Sequence, residues 1–335
     1  MARAPRSDVI STAMRLARLL VPGVLLLPGA LLLASACGGD VLRQNGGGGG
    51  GGGTPATKLS GMGDSIMQGF DASLVGGFGA DQPSFSFAQG TDTGVNSIYS
   101  RYLARGLPAG AKEFASKTGA EMVNDALSQA QAICAMATKP DRIVLLLGGN
   151  DVCNRTNVGA LYPVATFRSA LKAALDTLAA PACGLRAGSW VHVLSMPRVD
   201  ELRAAGLAKD AGNGSTQCRT LYNAANVCTI VTRETNQVVL DQIGQRIDDY
   251  NDGLALEVAA ADAASGGLAG VHFTTDWKGP MATNPGTSVG SYTFVAGDLS
   301  DIDCFHPSTA GQRRLACIAW ETWEHGTGNV AACLQ

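Results

Sequence analysis

Five short apolar runs of β character punctuate the chain at 58–62, 121–124, 142–147, 190–195 and 271–274. Between them, apolar positions recur at the longer period of helices, around 97–106, 128–138, 166–178, 236–263 and 309–323. Short apolar runs bounded by turn residues read as buried strands, and the longer periodic stretches as amphipathic helices. Their alternation predicts an α/β domain with a mostly parallel sheet covered by helices on both faces. Ligands of such sheets gather at the carboxyl ends of the strands, so chemistry is expected directly after the apolar runs.

Upstream of residue 58 the pattern changes. Arg3, Arg6, Arg15 and Arg18 precede the apolar stretch 19–36, which closes in Ala34, Ser35 and Ala36 just before Cys37. A basic head, an apolar stretch and a small-residue end form the layout of an export signal. Pro22 and Pro28 interrupt a stretch already near the lower limit for crossing a bilayer, which disfavours a retained membrane helix. The tail Ala34-Ser35-Ala36-Cys37 resembles a bacterial lipoprotein lipobox, with Ala in the first slot where Leu is usual. That resemblance implies lipidation of Cys37 and anchorage to a membrane facing the periplasm or cell exterior. An unbroken glycine run at 46–53 has no side chains to bury and reads as a flexible tether. The expected organisation is a signal peptide at 1–36, a lipidated cysteine and linker at 37–57, and one domain at 58–335.

Composition narrows the class. With 25 Lys+Arg against 28 Asp+Glu and 46% hydrophobic residues, the chain is neither disordered nor a basic nucleic-acid binder. Its nine cysteines suit an oxidising compartment. Setting Cys37 aside leaves Cys134, Cys153, Cys183, Cys218, Cys228, Cys304, Cys317 and Cys333, an even set that suits four disulfides. Cys218 with Cys228 is the expected local pair. No C-x-x-C pair or histidine cluster accompanies them, so no metal site is expected.

Three segments are chemically loaded: Gly63-Asp64-Ser65 after the first run, Gly148-Gly149-Asn150-Asp151 after the third, and Asp303-Cys304-Phe305-His306 ahead of the last helix. A serine hydroxyl becomes a useful nucleophile when an imidazole takes its proton and a carboxylate fixes the imidazole's tautomer. Ser65, His306 and Asp303 can fill those roles, and a single turn can join the last two. The oxyanion of a tetrahedral intermediate needs donors, which the Asn150 side chain and the Ser65 N–H can supply.

With these blocks in order, the sequence resembles the SGNH/GDSL hydrolases and, among them, the phospholipase-B-like lipases. Gly63-Asp64-Ser65-Ile66, Gly149-Asn150-Asp151 and Asp303-Cys304-Phe305-His306-Pro307-Ser308 carry the resemblance, which spans roughly 58–325. It implies a flavodoxin-like three-layer α/β/α fold and hydrolysis of carboxylic esters without metal or organic cofactor. It also implies Ser65 as nucleophile, His306 as base, Asp303 as its orienter and Asn150 as an oxyanion donor. Asn124-Asp125-Ala126-Leu127-Ser128-Gln129-Ala130 is similar to the family's Asn-x-Ala-x-Ser-Gly-Ala, with Gln129 in the slot of the glycine whose N–H serves the oxyanion hole. Gln129 is therefore expected at that hole, without glycine's freedom of backbone angle.

The implied partner is an acyl ester, either a lipid or an acetylated glycan. The rivals to a lipase or esterase are a carbohydrate or cell-envelope O-deacetylase, and a surface-tethered binding module on a degenerate hydrolase scaffold, which Gln129 alone supports. Gly286-Thr287-Ser288-Val289-Gly290 matches a G-x-S-x-G elbow, but Pro285 and polar residues stand where a strand should lead in, so a surface loop is expected. His192 and His272 lie on apolar runs and read as core residues, whereas His325 reads as solvated. Phe78, Phe85 and Phe87 either rim the site or fold back onto the core, the usual fate of large apolar side chains.

Overall fold

The computed structural model describes residues 55–266, 269–328 and 330–333. The expected signal peptide at 1–36, Cys37 and nearly all of the linker lie outside the described residues. Strands β1 (Leu59–Gly63), β2 (Lys112–Phe114), β3 (Arg142–Leu146), β4 (Trp190–Val193) and β5 (His272–Thr275) form one sheet. Every pairing is parallel and the order is β2-β1-β3-β4-β5. This is the flavodoxin-like order, in which the direction of progress along the sheet reverses between β1 and β3.

Among the described residues ten α-helices accompany the sheet: α1 (Ile98–Ala104), α2 (Met122–Ala135), α3 (Gly149–Cys153), α4 (Val164–Ala179), α5 (Leu202–Asn213), α6 (Gln217–Ala224), α7 (Thr229–Thr232), α8 (Gln237–Ser265), α9 (Thr309–His325) and α10 (Val330–Cys333). Right-handed crossovers put α1, which precedes the reversal, on the opposite face from the later crossover helices. Accordingly α2, α4 and α8 pack in series as one layer, while α1 packs with α9. All residues of β1, β3 and β4 are buried, as strands covered on both faces must be.

Four of the five expected strands are present. The run at 121–124 is instead the entry to α2, because the Asp151 carboxylate accepts from the N–H groups of Met122 (2.6 Å) and Val123 (3.0 Å). Two otherwise orphaned helix donors are thereby satisfied, which fixes helix rather than strand there. The missing strand is β2, three residues at the sheet edge.

Four disulfides join the eight cysteines: Cys134–Cys183, Cys153–Cys228, Cys218–Cys304 and Cys317–Cys333. The local Cys218–Cys228 pairing is not made. Instead Cys218 reaches Cys304 in the turn ahead of α9 and Cys228 reaches Cys153 at the end of α3, while α5, α6 and α7 pack together. Among the described residues no helix is long and apolar enough to cross a membrane.

Candidate active site

The reversal between β1 and β3 leaves a crevice at their carboxyl ends, and the glycine turns after both strands open there. β1 ends in Gly63, where a Cβ would meet Cβ of Met67 at 2.5 Å, so only glycine lets the chain turn back this tightly. The following residues wind into a helical turn, with Phe70 N–H donating to the Ser65 carbonyl. Asp64 closes that turn by accepting from the Ile66 N–H at 2.9 Å. Burial pushes the Asp64 carboxyl up to about 6, against the pull of the Ile66 N–H and of His306. From α9, the buried Gln312 donates to the Ile66 carbonyl (3.1 Å) and accepts from the Phe87 N–H (2.8 Å), tying the turn to the helix that follows His306.

The structure brings Ser65, His306 and Asp303 into one hydrogen-bonded row. His306 Nε2 lies 2.8 Å from Ser65 Oγ, and its Nδ1 lies 2.5 Å from Asp303 Oδ2. The other carboxylate oxygen of Asp303 accepts from the N–H groups of Phe305 (2.9 Å) and His306 (3.0 Å), so the turn itself aims the carboxylate. Burial pulls the His306 imidazole down, but the charge and hydrogen bond of Asp303, backed by Asp64 and Asp71, raise it above the ordinary 6.5. Burial likewise opposes ionisation of Asp303, yet His306 and the two N–H bonds hold its carboxyl below the usual range. The Phe70 ring lies 4.8 Å from that of His306 and covers it.

Cys304, within this turn, adopts φ 57°, a left-handed conformation uncommon outside glycine. Two contacts hold it there: the disulfide to Cys218 of α6 and the Tyr222 hydroxyl, which donates to the Cys304 carbonyl at 2.6 Å.

Asn150 stands near the start of α3, and its Nδ2 donates to the Ala120 carbonyl at 3.0 Å. An amide carries two N–H donors, so a second remains for a ligand. Gln129 is placed elsewhere than expected. It lies in the middle of α2, where the helical ladder engages its N–H, and its side chain turns to β1. There Oε1 accepts from the Gly63 N–H (2.7 Å) and Nε2 donates to the Gly63 carbonyl (2.9 Å). The motif alignment at 124–130 is therefore displaced. On the loop after β2, Gly119 has φ 81° and lies beside the Ala120 carbonyl that Asn150 holds. Its signal in the sequence is Thr118-Gly119-Ala120 shortly after the edge strand, hidden because β2 itself was not legible.

The other singled-out residues are structural. Ser288 is fully buried rather than on a surface loop: its hydroxyl shares a 2.8 Å bond with Ser291, and Asp276 takes the adjacent Val289 N–H. His192 is buried between Thr274 and Thr322, and burial brings its imidazole down to about 3. His272 pairs with Asp262 and stacks on Trp190. Phe87 is in the core, Phe85 is half-buried and Phe78 is exposed. Among the described residues no cluster of His, Cys, Asp or Glu could hold a metal ion.

The row sets a serine hydroxyl, an imidazole and a carboxylate in hydrogen-bonded order, the arrangement of a serine-histidine-aspartate triad. The chain belongs to the GDSL-like lipase/acylhydrolase family, whose model matches residues 60–317. Among solved structures, the chain is similar to an α/β hydrolase enzyme from the metagenome of Lake Arreo, Spain, at 17% identity and TM-score 0.42, covering 83% of this chain and 96% of that one. A lipase/acylhydrolase from Enterococcus faecalis aligns at 17% identity and TM-score 0.41, covering 81% and 97%. An acetylxylan esterase from Geobacillus stearothermophilus aligns at 15% identity and TM-score 0.41, covering 79% and 92%. No curated protein sequence matches the chain.

Proposed function

We propose that the protein is an exported serine esterase that hydrolyses carboxylic esters through an acyl-enzyme on Ser65. The observation that carries this reading is the continuous row from Ser65 Oγ through the His306 ring to Asp303. His306 Nε2 takes the Ser65 proton as Oγ attacks the ester carbonyl, and Asp303 stabilises the imidazolium. The proton then passes to the leaving alcohol as its C–O bond breaks. His306 next deprotonates a water, whose attack frees the carboxylic acid and restores Ser65. The free Nδ2–H of Asn150 and the Ser65 N–H serve the oxyanion, with Gly119 replacing Gln129 as the donor from the loop after β2.

Four disulfides support residence in an oxidising compartment, in keeping with the export signal read at 1–36 and lipidation of Cys37. The binding-module reading drew on Gln129 alone, and the Gln129 side chain is engaged with the Gly63 backbone at the end of β1. Hydrolysis of simple acyl esters by the full chain, beside Ser65→Ala, tests the proposal. Turnover that vanishes in Ser65→Ala supports it, and equal rates in the two proteins overturn it.

A further inference from the structure

The space beside Ser65 is small and its walls are fixed. Ile66 on the nucleophile turn, Val199 and Leu202 at the entry to α5, Phe294 and Phe305 close around Ser65 and His306. The cavity they enclose has a volume of about 30 Å³. Holding one water takes ~10–15 Å³, so the room is that of about two water-sized groups. An acetyl methyl group fits such a space, whereas a longer acyl chain exceeds it. A larger open groove of about 550 Å³, bordered by Leu74, Lys209 and Asp301, touches no triad side chain and offers no extension at Ser65.

The wall that would have to move is stapled on both sides of the site. Val199 and Leu202 belong to the segment that packs on α6 and α7. From α6, Cys218 is bonded to Cys304 between Asp303 and His306, and Cys228 at the head of α7 is bonded to Cys153 of α3 beside Asn150. Arg198, next to Val199, is further paired with Asp200 and with Asp248 of α8. Backbone movement of Val199 and Leu202 is therefore resisted by packing on two helices that are bonded to the segments carrying His306 and Asn150.

From this we infer that the enzyme is an acetyl esterase whose chain-length limit is set by Leu202, on a disulfide-stapled wall, and by Phe294 beside it. The inference rests on the esterase reading above. Each methylene that a pocket refuses is expected to cost about ten-fold or more in kcat/KM.

The experiment measures kcat/KM of the full chain, purified under oxidising conditions, on p-nitrophenyl acetate, butyrate and octanoate, with Leu202→Ala, Phe294→Ala and Ser65→Ala in parallel. The wild type should favour acetate over octanoate by about 10²-fold or more, and each wall variant should move that ratio towards the longer chains by about ten-fold. Because the ratio is read within one protein, a reduced folded fraction cancels from it. Octanoate turned over as well as acetate, or ratios unmoved in both wall variants, overturns the inference and leaves the esterase standing. Wild-type rates no higher than those of Ser65→Ala on every ester overturn both.

Discussion

The side-chain amide of Gln129 grips Gly63 by both its N–H and its carbonyl, at 2.7 and 2.9 Å, two residues ahead of the nucleophile. The pair locks α2 to the end of β1 and so fixes where Ser65 begins its turn. Replacing Gln129 with Leu keeps the bulk and leaves the buried Gly63 N–H without its partner. The expected cost is about 1–3 kcal/mol in chemical denaturation. Gln129→Gly separates this role from an oxyanion one: a blocked donor position would gain turnover from glycine, whereas a positioning residue loses it. Steady-state kinetics should show a loss, chiefly in kcat.

Activity should depend on pH through His306. The imidazole must be neutral to accept the Ser65 proton, so kcat/KM is expected to rise as His306 loses its own proton. Since Asp303 raises that imidazole above 6.5, the midpoint of the rise should lie above 6.5. Asp303→Asn removes the carboxylate, so the midpoint should move to lower pH and kcat should fall by about 10⁴ as the tautomer is lost. A pH profile with the same midpoint in both proteins would contradict the assignment of Asp303.

Asn150→Ala tests the oxyanion role. Losing one such donor lowers kcat by about 10²–10³, with little change in KM if the bond forms in the transition state. A change confined to KM would mean that Asn150 binds the ground state only.

The Cys218–Cys304 bond, spanning 86 residues, holds the turn that carries both Asp303 and His306. The double variant Cys218→Ser with Cys304→Ser should lose about 2–5 kcal/mol of stability. A shift of the turn by about 1 Å can lower turnover by up to about 10²-fold, so kcat should fall even where circular dichroism shows the variant folded. Unchanged kcat in the folded variant would assign the bond to stability alone.

What the sequence made legible follows from where information is local. β1, β3 and β4 were readable because strands buried in a parallel sheet write themselves as apolar runs, and β5, at the other edge and only partly buried, because Val271 to Thr274 keep a short run of β character. β2 was not, since Lys112, Glu113 and Phe114 at an open edge carry no such run. The start of α2 was misread because its cap, Asp151, lies 29 residues away. The same distance effect hid the role of Gln129, whose partner Gly63 is 66 residues upstream, and the pairing of Cys218 and Cys228 with distant cysteines. The triad was readable because Asp303 and His306 share one turn and Ser65 sits where the first strand ends, so the topology had only two places to join.

The central claim is that Ser65 is an activated nucleophile, and the most direct measurement is labelling by a serine-reactive alkyl phosphonate, read by peptide mass spectrometry. The account expects stoichiometric modification at Ser65, lost in Ser65→Ala and greatly slowed in His306→Ala. A well-folded wild-type protein that takes no label at Ser65, or takes it as fast without His306, would contradict it.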